Sequence, residues 1–477
     1  MNLILKKIKD CKDLQLDSRL VQPGDCFIAV PGQSTDGRQY IAQALKNQAH
    51  YVLYDSDHYQ LPSALISETV IAVPNLTHQL GDLASAFYQH PSKQMKVIGV
   101  TGTNGKTSVT HYLAQAFGLL KISCGVIGTL GFGLVNGEWQ KGTHTTPNVI
   151  DLHKQLAALR KLGAEYAAIE VSSHALDQNR VAGVHFYTVV FTNLSRDHLD
   201  YHGTMENYAA AKRQLFAVPG IQYAVINSDE VLGRTLMADF SHQYDICSFS
   251  LQKRLMPNAI TCSAITPVKQ GFEVVVQTPR GEANFHTDLM GEFNIANLLV
   301  VLAVLLNENY SLLNIVKVLS NITAVPGRMR CLSAEQKASV VIDFAHTPDA
   351  LEKVLLALRN QCRGQLFCVF GCGGDRDRGK RPLMAGAASA YADQIIITSD
   401  NPRTEKPEQI INDIVQGLSK SAHYYIELDR ERAIAYAMAQ ATVDDLILVA
   451  GKGHETEQII GTERLAFSDE AIVKKYL

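Results

Sequence analysis

The stretch Val97-Ile98-Gly99-Val100-Thr101-Gly102-Thr103-Asn104-Gly105-Lys106-Thr107-Ser108 runs an apolar strand into a glycine turn, a lysine and a hydroxyl pair. Residue types in that order bind phosphate. Gly102 and Gly105 carry no Cβ, so the backbone can curl and aim N–H groups at phosphate oxygens, and the helix opening near Lys106 adds its positive dipole end. Lys106 offers a charge to the β- and γ-phosphates, and the Thr107 hydroxyl a ligand to Mg²⁺. The usual pattern has glycine where this chain has Val100. An ordinary strand-to-helix turn, however, has no need of Gly-Lys-Thr directly before an apolar-periodic helix (Val109, Leu113, Ala116, Phe117).

Other residues carry chemistry at strand ends. Tyr166-Ala167-Ala168-Ile169-Glu170 finishes in a carboxylate where P-loop proteins hold Mg²⁺ beside the nucleotide, although a lone strand-end Glu is more often just solvated. The loop from Asn193 to His202 gathers Asp197, His198, Asp200 and His202; taken alone it suits a helix-capping Asp and a surface His equally well. Lys212 stands four residues after Tyr208 and four before Phe216, on the buried stripe of a helix expected over 206–216. A lysine there either snorkels to solvent or is modified, since desolvation lowers its pKa and frees the neutral amine. Gly371-Cys372-Gly373-Gly374-Asp375-Arg376-Asp377-Arg378 lacks the third glycine of a dinucleotide fingerprint and is loaded with charge. Arg376 there, and Arg403 in Asp400-Asn401-Pro402-Arg403, are forks suited to carboxylates; singly, each also suits a surface salt bridge.

These residues need a scaffold of alternating strands and helices, and the pattern supplies an α/β chain of three domains. Residues 1–88 read as a small α/β domain, with Cys26 to Val30 after a Pro23-Gly24-Asp25 turn, a helix near Tyr40 to Lys46, and strands at His50 to Tyr54 and Val70 to Val73. Residues 89–326 read as a mononucleotide-binding parallel sheet containing Tyr166 to Val171, Tyr187 to Asn193 and Tyr223 to Asn227. Period-two segments around Thr278-Pro279-Arg280-Gly281 predict an antiparallel appendage, and Glu292 to Asn307 an apolar helix. After Val325-Pro326-Gly327, residues 327–477 read as a second, Rossmann-like doubly wound sheet, with strands at Val340 to Phe344, Gln365 to Phe370, Gln394 to Thr398, Tyr424 to Leu428 and Leu446 to Ala450.

The 477 residues are 46% hydrophobic and 19% charged, with a net charge of −3. That balance describes a globular protein without the basic excess of a nucleic-acid binder. The start lacks the apolar run of a signal peptide and no segment is long enough to span a bilayer, so a cytoplasmic location and no membrane partner are expected. Nine cysteines, none in a Cys-x-x-Cys pair, read as reduced core thiols.

The combination of Thr101-Gly102-Thr103-Asn104-Gly105-Lys106-Thr107, Glu170-Val171-Ser172-Ser173-His174, Asp197-His198, Lys212, Asn294-x-x-Asn297, Pro326-Gly327-Arg328-Met329 and Asp400-Asn401-Pro402-Arg403 resembles the Mur ligases. The likeness runs from Leu16 to Asp469 and is greatest to the branch that ligates diaminopimelate. It implies an ATP-dependent acid–amino-acid ligase that adds meso-2,6-diaminopimelate to UDP-N-acetylmuramoyl-L-alanyl-D-glutamate in peptidoglycan precursor synthesis, with Mg²⁺ and as a monomer. The matching positions are Leu16, Ser18, Gln33, Ser34 and Thr35 for the uridine diphosphate, and His144, Thr145, Thr146, Ser172, Gln178 and Arg180 for the muramoyl peptide. Gly102 to Ser108, Asn294, Arg328 and Asp343 match nucleotide contacts. Arg376, Asp400, Asn401, Pro402, Arg403, Gly451 and Glu455 match the diaminopimelate site. Lys212 matches the lysine that this family carbamylates, which with Thr107, Glu170 and His198 would ligate Mg²⁺. Phe344 stands where the family's Asp-Tyr-Ala-His-Thr-Pro motif has Tyr, and Arg330 where an acid or amide is usual.

Two other readings compete. Folylpolyglutamate synthase shares the acyl-phosphate chemistry, but the run from Ser172 to Arg180 and the Asp-Asn-Pro-Arg motif resemble the muramoyl-peptide ligases more. A P-loop switch without ligase chemistry would have no use for arginine-bearing loops in a separate C-terminal domain.

Overall fold

The structure is a computed structural model that describes residues 2–32, 35–135, 137–140, 142, 144–252, 259–268 and 271–477. Two compact units result, one of Met1–Gly99, Ile122–Tyr187 and Val218–Ile221, the other of Val100–Lys121, Thr188–Ala217 and Gln222–Leu477. The phosphate-loop strand Lys96–Thr101 passes from the first into the second.

In the first unit, Leu14–Gln15, Cys26–Ala29, Tyr51–Asp55 and Val70–Val73 form a wholly parallel sheet in chain order. Both faces are covered, so these strands are continuously apolar. Cys26, Ile28 and Leu53 pack toward the helix Leu76–Phe87, and Phe27, Ala29 and Val52 toward Ile41–Lys46. The Pro23-Gly24 turn is type II: Gly24 has φ +100° and the Asp25 amide donates to the Gln22 carbonyl at 3.0 Å. The same unit holds the parallel pair Cys124–Gly128 and Tyr166–Glu170, with Gly131–Leu134 antiparallel to the former.

In the second unit, Thr188–Phe191, Tyr223–Asn227, Asp245–Ser250 and Ala259–Pro267 run parallel. The expected hairpin is present as Phe272–Thr278 and Gly281–Thr287, and it pairs with Ala259–Pro267. The appendage is therefore the edge of this sheet. Its turn residue Arg280 donates to the Leu306 and Tyr310 carbonyls and to Asn309 Oδ1, capping the carboxyl end of the buried helix Glu292–Asn307. The helix expected over 206–216 is α-helical over Met205–Arg213 and tightens into a 3₁₀ turn at Gln214–Ala217.

The C-terminal sheet orders Arg330–Leu332, Ser339–Asp343, Leu446–Ala450, Leu366–Phe370, Gln394–Ile397 and Tyr424–Ile426, parallel except for its first strand. Because Asp343 is in register with Ala450 and Phe370 with Ile397, the loops carrying Phe344–His346, Gly371–Arg378, Asp400–Arg403 and Gly451–Glu455 all leave one edge. Ligands of doubly wound sheets bind at that edge. All nine cysteines are free thiols, and no helix among the described residues is long and apolar enough to cross a membrane.

Gly81, within Leu76–Phe87, shows how close the first unit packs: a Cβ there would stand 2.4 Å from the backbone carbonyl carbon of Ala182. Gly81→Ala gains about 1 kcal/mol of helix propensity but meets backbone that cannot yield, at about 1–3 kcal/mol. The expected outcome is net destabilisation, read as a lower urea midpoint at unchanged m-value.

Candidate active site

The phosphate loop takes the conformation its glycines permit, with φ +151° at Gly102 and +88° at Gly105. A Cβ on Gly102 would stand 1.9 Å from Thr192 Oγ1, so contact demands this glycine as strongly as conformation does. Lys106 folds over the loop and donates to the Gly102 and Thr103 carbonyls at 2.8 and 2.9 Å. The Asn104 amide donates to Asn193 Oδ1 at 2.9 Å, and Asn104 Nδ2 to Asp349 Oδ2 at 2.9 Å. Thr107 and Ser108 are buried in the first helical turn, and Thr107 Oγ1 accepts from Arg328 Nη2 at 3.1 Å.

Lys212 does not snorkel. It is 1% exposed, as is Tyr208, whose ring centroid lies 4.2 Å from Lys212 Nζ and whose hydroxyl is 3.1 Å from Thr103 Oγ1. Burial, reinforced by the Lys106 charge and opposed by Asp197, pushes the amine well below its ordinary range.

Asp197, which the sequence left between a capping and a chemical role, is a hub. It accepts the His198 amide at 2.9 Å and lies 3.4 Å from His198 Nε2 and 3.9 Å from His346 Nε2. Burial alone would raise its carboxyl, but the positive potential of His198, His346 and Lys380 outweighs it and holds Asp197 at about 2. His346 is pushed down to about 4 by burial, with Lys380 adding to the effect. His198 sits at φ +54° and begins the turn Leu199–His202. For a non-glycine residue that backbone costs about 1–3 kcal/mol.

Nearby, Arg328 stacks 4.5 Å over the Phe344 ring. The aromatic face is what this contact needs, so Phe serves where the family motif has Tyr. Asp343 accepts the Met329 and Ala345 amides, each at 2.7 Å; burial raises its carboxyl, with Arg328 and those amides opposing. Asn294 is satisfied internally, accepting from Tyr112 Oη and Asn297 Nδ2 and donating to the Met290 carbonyl. Arg330, the other departure, lies 4.0 Å from Glu470.

A cleft of about 170 Å³ extends from Asp197, His198 and His346 past Lys380 to Arg376, Asp400, Asn401, Arg403, Gly451 and Glu455. Arg403, at φ +52°, donates to the Gly374 carbonyl at 2.8 Å, and Arg376 to the Asp375 carbonyl at 3.0 Å. Among the described residues neither forms an ion pair. Burial and the neighbouring Arg376 charge lower the Arg403 pKa, as expected for a cation lacking a counter-ion. A Cβ on Gly374 would stand 1.9 Å from the Pro402 carbonyl oxygen, so the two arginine loops interlock. Glu455 accepts from Asn401 Nδ2 at 2.9 Å and from the buried Lys452 at 2.6 Å.

The first unit gathers a second set. Glu170, 1% exposed, accepts the Thr129 amide at 2.8 Å and the Thr129 hydroxyl at 3.1 Å. Thr145 Oγ1 lies 3.1 Å from Thr129 Oγ1, and Thr146 Oγ1 donates to the Glu170 carbonyl at 2.7 Å. Ser172 caps the helix Ser173–Asp177. Arg180 holds Gln178 Oε1 and the Thr146 carbonyl, and burial followed by the Arg180 charge lowers the His144 pKa. Ser18 is buried, its carbonyl accepting from Asn47, and the Thr35 carbonyl accepts the Gly32 amide at 2.9 Å; Leu16 packs on the sheet core. Gln33 and Ser34 lie outside the described residues. Sequence reasoning passed over Lys380, His346, Asp349 and Lys452; a lysine between two glycines directly after an apolar strand was the available signal for Lys452.

This arrangement of phosphate loop, buried lysine and an arginine-bearing cleft on a second sheet defines a Mur ligase, and the chain belongs to that family. Family models match three successive stretches: the Mur ligase family catalytic domain over residues 11–88, the Mur ligase middle domain over 100–305, and the Mur ligase glutamate ligase domain over 327–453. Among named relatives, the UDP-N-acetylmuramoyl-L-alanyl-D-glutamate–2,6-diaminopimelate ligase of Coxiella burnetii is 51% identical, covering 98% of this chain and 95% of that one. The enzyme of the same name from Haemophilus influenzae is 42% identical over 99% and 97%. A solved structure bearing that name superposes with a TM-score of 0.69 at 35% identity, covering 98% of this chain and 94% of the other. MurF from Acinetobacter baumannii, at 18% identity and TM-score 0.68 over 98% and 93%, shares the fold.

The depressed Asp197 carboxyl has a pH consequence. Its pKa of about 2 lies below the ordinary 3.8, so its ionisation favours the folded chain above about pH 4 and that contribution is lost as pH falls toward about 2. The stability difference between wild type and Asp197→Asn is expected to shrink across that window in urea titrations.

Proposed function

We infer that the chain is an ATP-dependent ligase that adds meso-2,6-diaminopimelate to UDP-N-acetylmuramoyl-L-alanyl-D-glutamate, as a cytoplasmic monomer. Its domains are 1–88 for the uridine nucleotide, 89–326 for ATP and 327–477 for the amino acid, a division supported by the three family matches. The relatives' shared name supports the substrates. The observation that carries the reading is one cleft running from the Asp197–His198 loop to two arginines without carboxylate partners and a carboxylate, Glu455. An amino acid with a second α-amino-carboxylate end has groups for all three.

The γ-carboxylate of D-glutamate attacks the γ-phosphorus of ATP; the bond to the bridging oxygen breaks, ADP leaves, and an acyl phosphate forms. The free amine of diaminopimelate then attacks the acyl carbon and expels phosphate with loss of a proton. Lys106 exchanges two neutral carbonyls for phosphate oxygens, a charge-assisted gain. Arg328 similarly has Thr107 to release. The protein thus contributes positioning and electrostatics, and no side chain acts as nucleophile.

Mg²⁺ is proposed on the family positions Thr107, Glu170, His198 and carbamylated Lys212, where it supplies charge neutralisation for the phosphoryl group. The donor chemistry fits: Thr107, Glu170 and His198 carry oxygen and imidazole donors, and Lys212, whose amine burial favours in the neutral form, would add an anionic one as a carbamate. A neutral buried amine can add CO₂, forming the N–C bond and releasing one proton. Lys212→Ala is expected to lose ligase activity, and bicarbonate or a short carboxylic acid to restore part of it; wild-type turnover in the variant would exclude the carbamate.

The specificity follows from Arg403. L-Lysine shares the reacting amino acid and a side-chain amine but lacks the second carboxylate, leaving a half-buried guanidinium unmet. Phosphate release should favour diaminopimelate over L-lysine by several orders of magnitude in kcat/KM, and Arg403→Ala should abolish diaminopimelate use with ATP binding intact. L-Lysine within about tenfold of diaminopimelate, about 1.4 kcal/mol, would refute this specificity.

A further inference from the structure

Lys452 is fully buried, following the strand Leu446–Ala450 between Gly451 and Gly453. Its Nζ lies 2.6 Å from Glu455 Oε2 and 3.0 Å from Asn401 Oδ1. Glu455 Oε2 also takes Asn401 Nδ2 at 2.9 Å. One carboxylate oxygen is therefore committed to two donors, while the side chain stays 31% exposed and lines the cleft. Lys452 itself does not line it. An amine sealed in this way with an anionic partner and an amide fixes a rotamer, and it also places a positive charge behind the carboxylate.

We propose that Lys452 is a positioning residue that sets Glu455 and, through it, the preference of the cleft for a zwitterionic over a purely cationic side-chain end. The inference rests on the diaminopimelate reading. Toward its arginines the cleft lining carries Arg376, Arg403, Asp400 and Glu455, with Lys452 sealed behind the last. Held by Lys452, Glu455 offers its remaining oxygen to an ammonium without making the site so negative that a neighbouring carboxylate is repelled. Without Lys452, Glu455 is released to move toward Arg403, and the more negative site suits an ammonium alone.

The test is steady-state phosphate release by the full-length enzyme with meso-diaminopimelate or L-lysine, for wild type, Lys452→Met, Glu455→Gln and the double variant. Lys452→Met is expected to raise the KM for diaminopimelate about tenfold or more, with the KM for ATP within about twofold, and to narrow the preference over L-lysine by about tenfold. In the Glu455→Gln background, the same substitution is expected to change that KM less than about threefold, because the two residues act as one. Lys452→Gln, which keeps a donor without the charge, should fall between wild type and Lys452→Met. An unchanged KM, an equal effect in both backgrounds, or loss of the thermal unfolding transition in both Lys452 variants would overturn the assignment. A wild type that releases phosphate with neither amino acid would overturn the ligase reading with it.

Discussion

Several cationic or potentially cationic groups face one buried carboxylate, Asp197, and the second unit is arranged around that imbalance. The chain relieves it by keeping groups neutral: burial holds His346 near 4 and Lys212 well below the ammonium range, while Asp197 stays ionised down to about 2. Lys106 meanwhile turns to the carbonyls of its own loop. A lysine turned to neutral carbonyls can turn instead to phosphate oxygens, with a charge-assisted gain.

The amino-acid end is arranged by the opposite means. Acids that could neutralise Arg376 and Arg403 are engaged elsewhere. Glu405 is taken by Arg381 and Arg378, and held at about 2 chiefly by its bonds to Arg381, while Asp375 binds the Thr404 hydroxyl and amide. Behind them, the fully buried pair Arg430 and Asp469 ties the helix Arg430–Gln440 to the C-terminal helix and, through the Ala450 carbonyl, to the strand that delivers Gly451 and Lys452. Breaking such a pair leaves an uncompensated buried charge, so its value here lies in fixing where the loop begins.

Much of this was legible beforehand wherever a local rule decided it. The phosphate loop, the apolar helix Glu292–Asn307 and the strands Tyr223–Asn227 and Leu446–Ala450 lie where periodicity and glycine placement put them. Lys212 lies on the buried stripe that Tyr208 and Phe216 mark, and of the two outcomes left open for it there the structure shows the one without snorkelling. Period-two alternation reveals the hairpin's strands but not their neighbour, so the structure alone shows that the antiparallel appendage forms the edge of the sheet. Lys380, His346 and Lys452 went unremarked because nothing local marks a lysine or histidine whose partners come from other loops.

The sequence by itself determined strands such as Tyr223–Asn227 and Leu446–Ala450 and that reactive side chains follow strand ends, because backbone dihedral preferences and side-chain alternation are properties of adjacent residues, while Cys124–Gly128, Asp245–Ser250 and Ala259–Pro267 carried no such mark. Only the tertiary structure decided that Asp197 faces His346, that Arg376 shares a cleft with Arg403, and that Lys452 reaches Asn401 across 51 residues. Those meetings depend on strand order in a parallel sheet, where Ser339–Asp343 and Leu366–Phe370 are separated by the late strand Leu446–Ala450. Order of that kind is fixed by how whole faces pack, and no single stretch of chain encodes it.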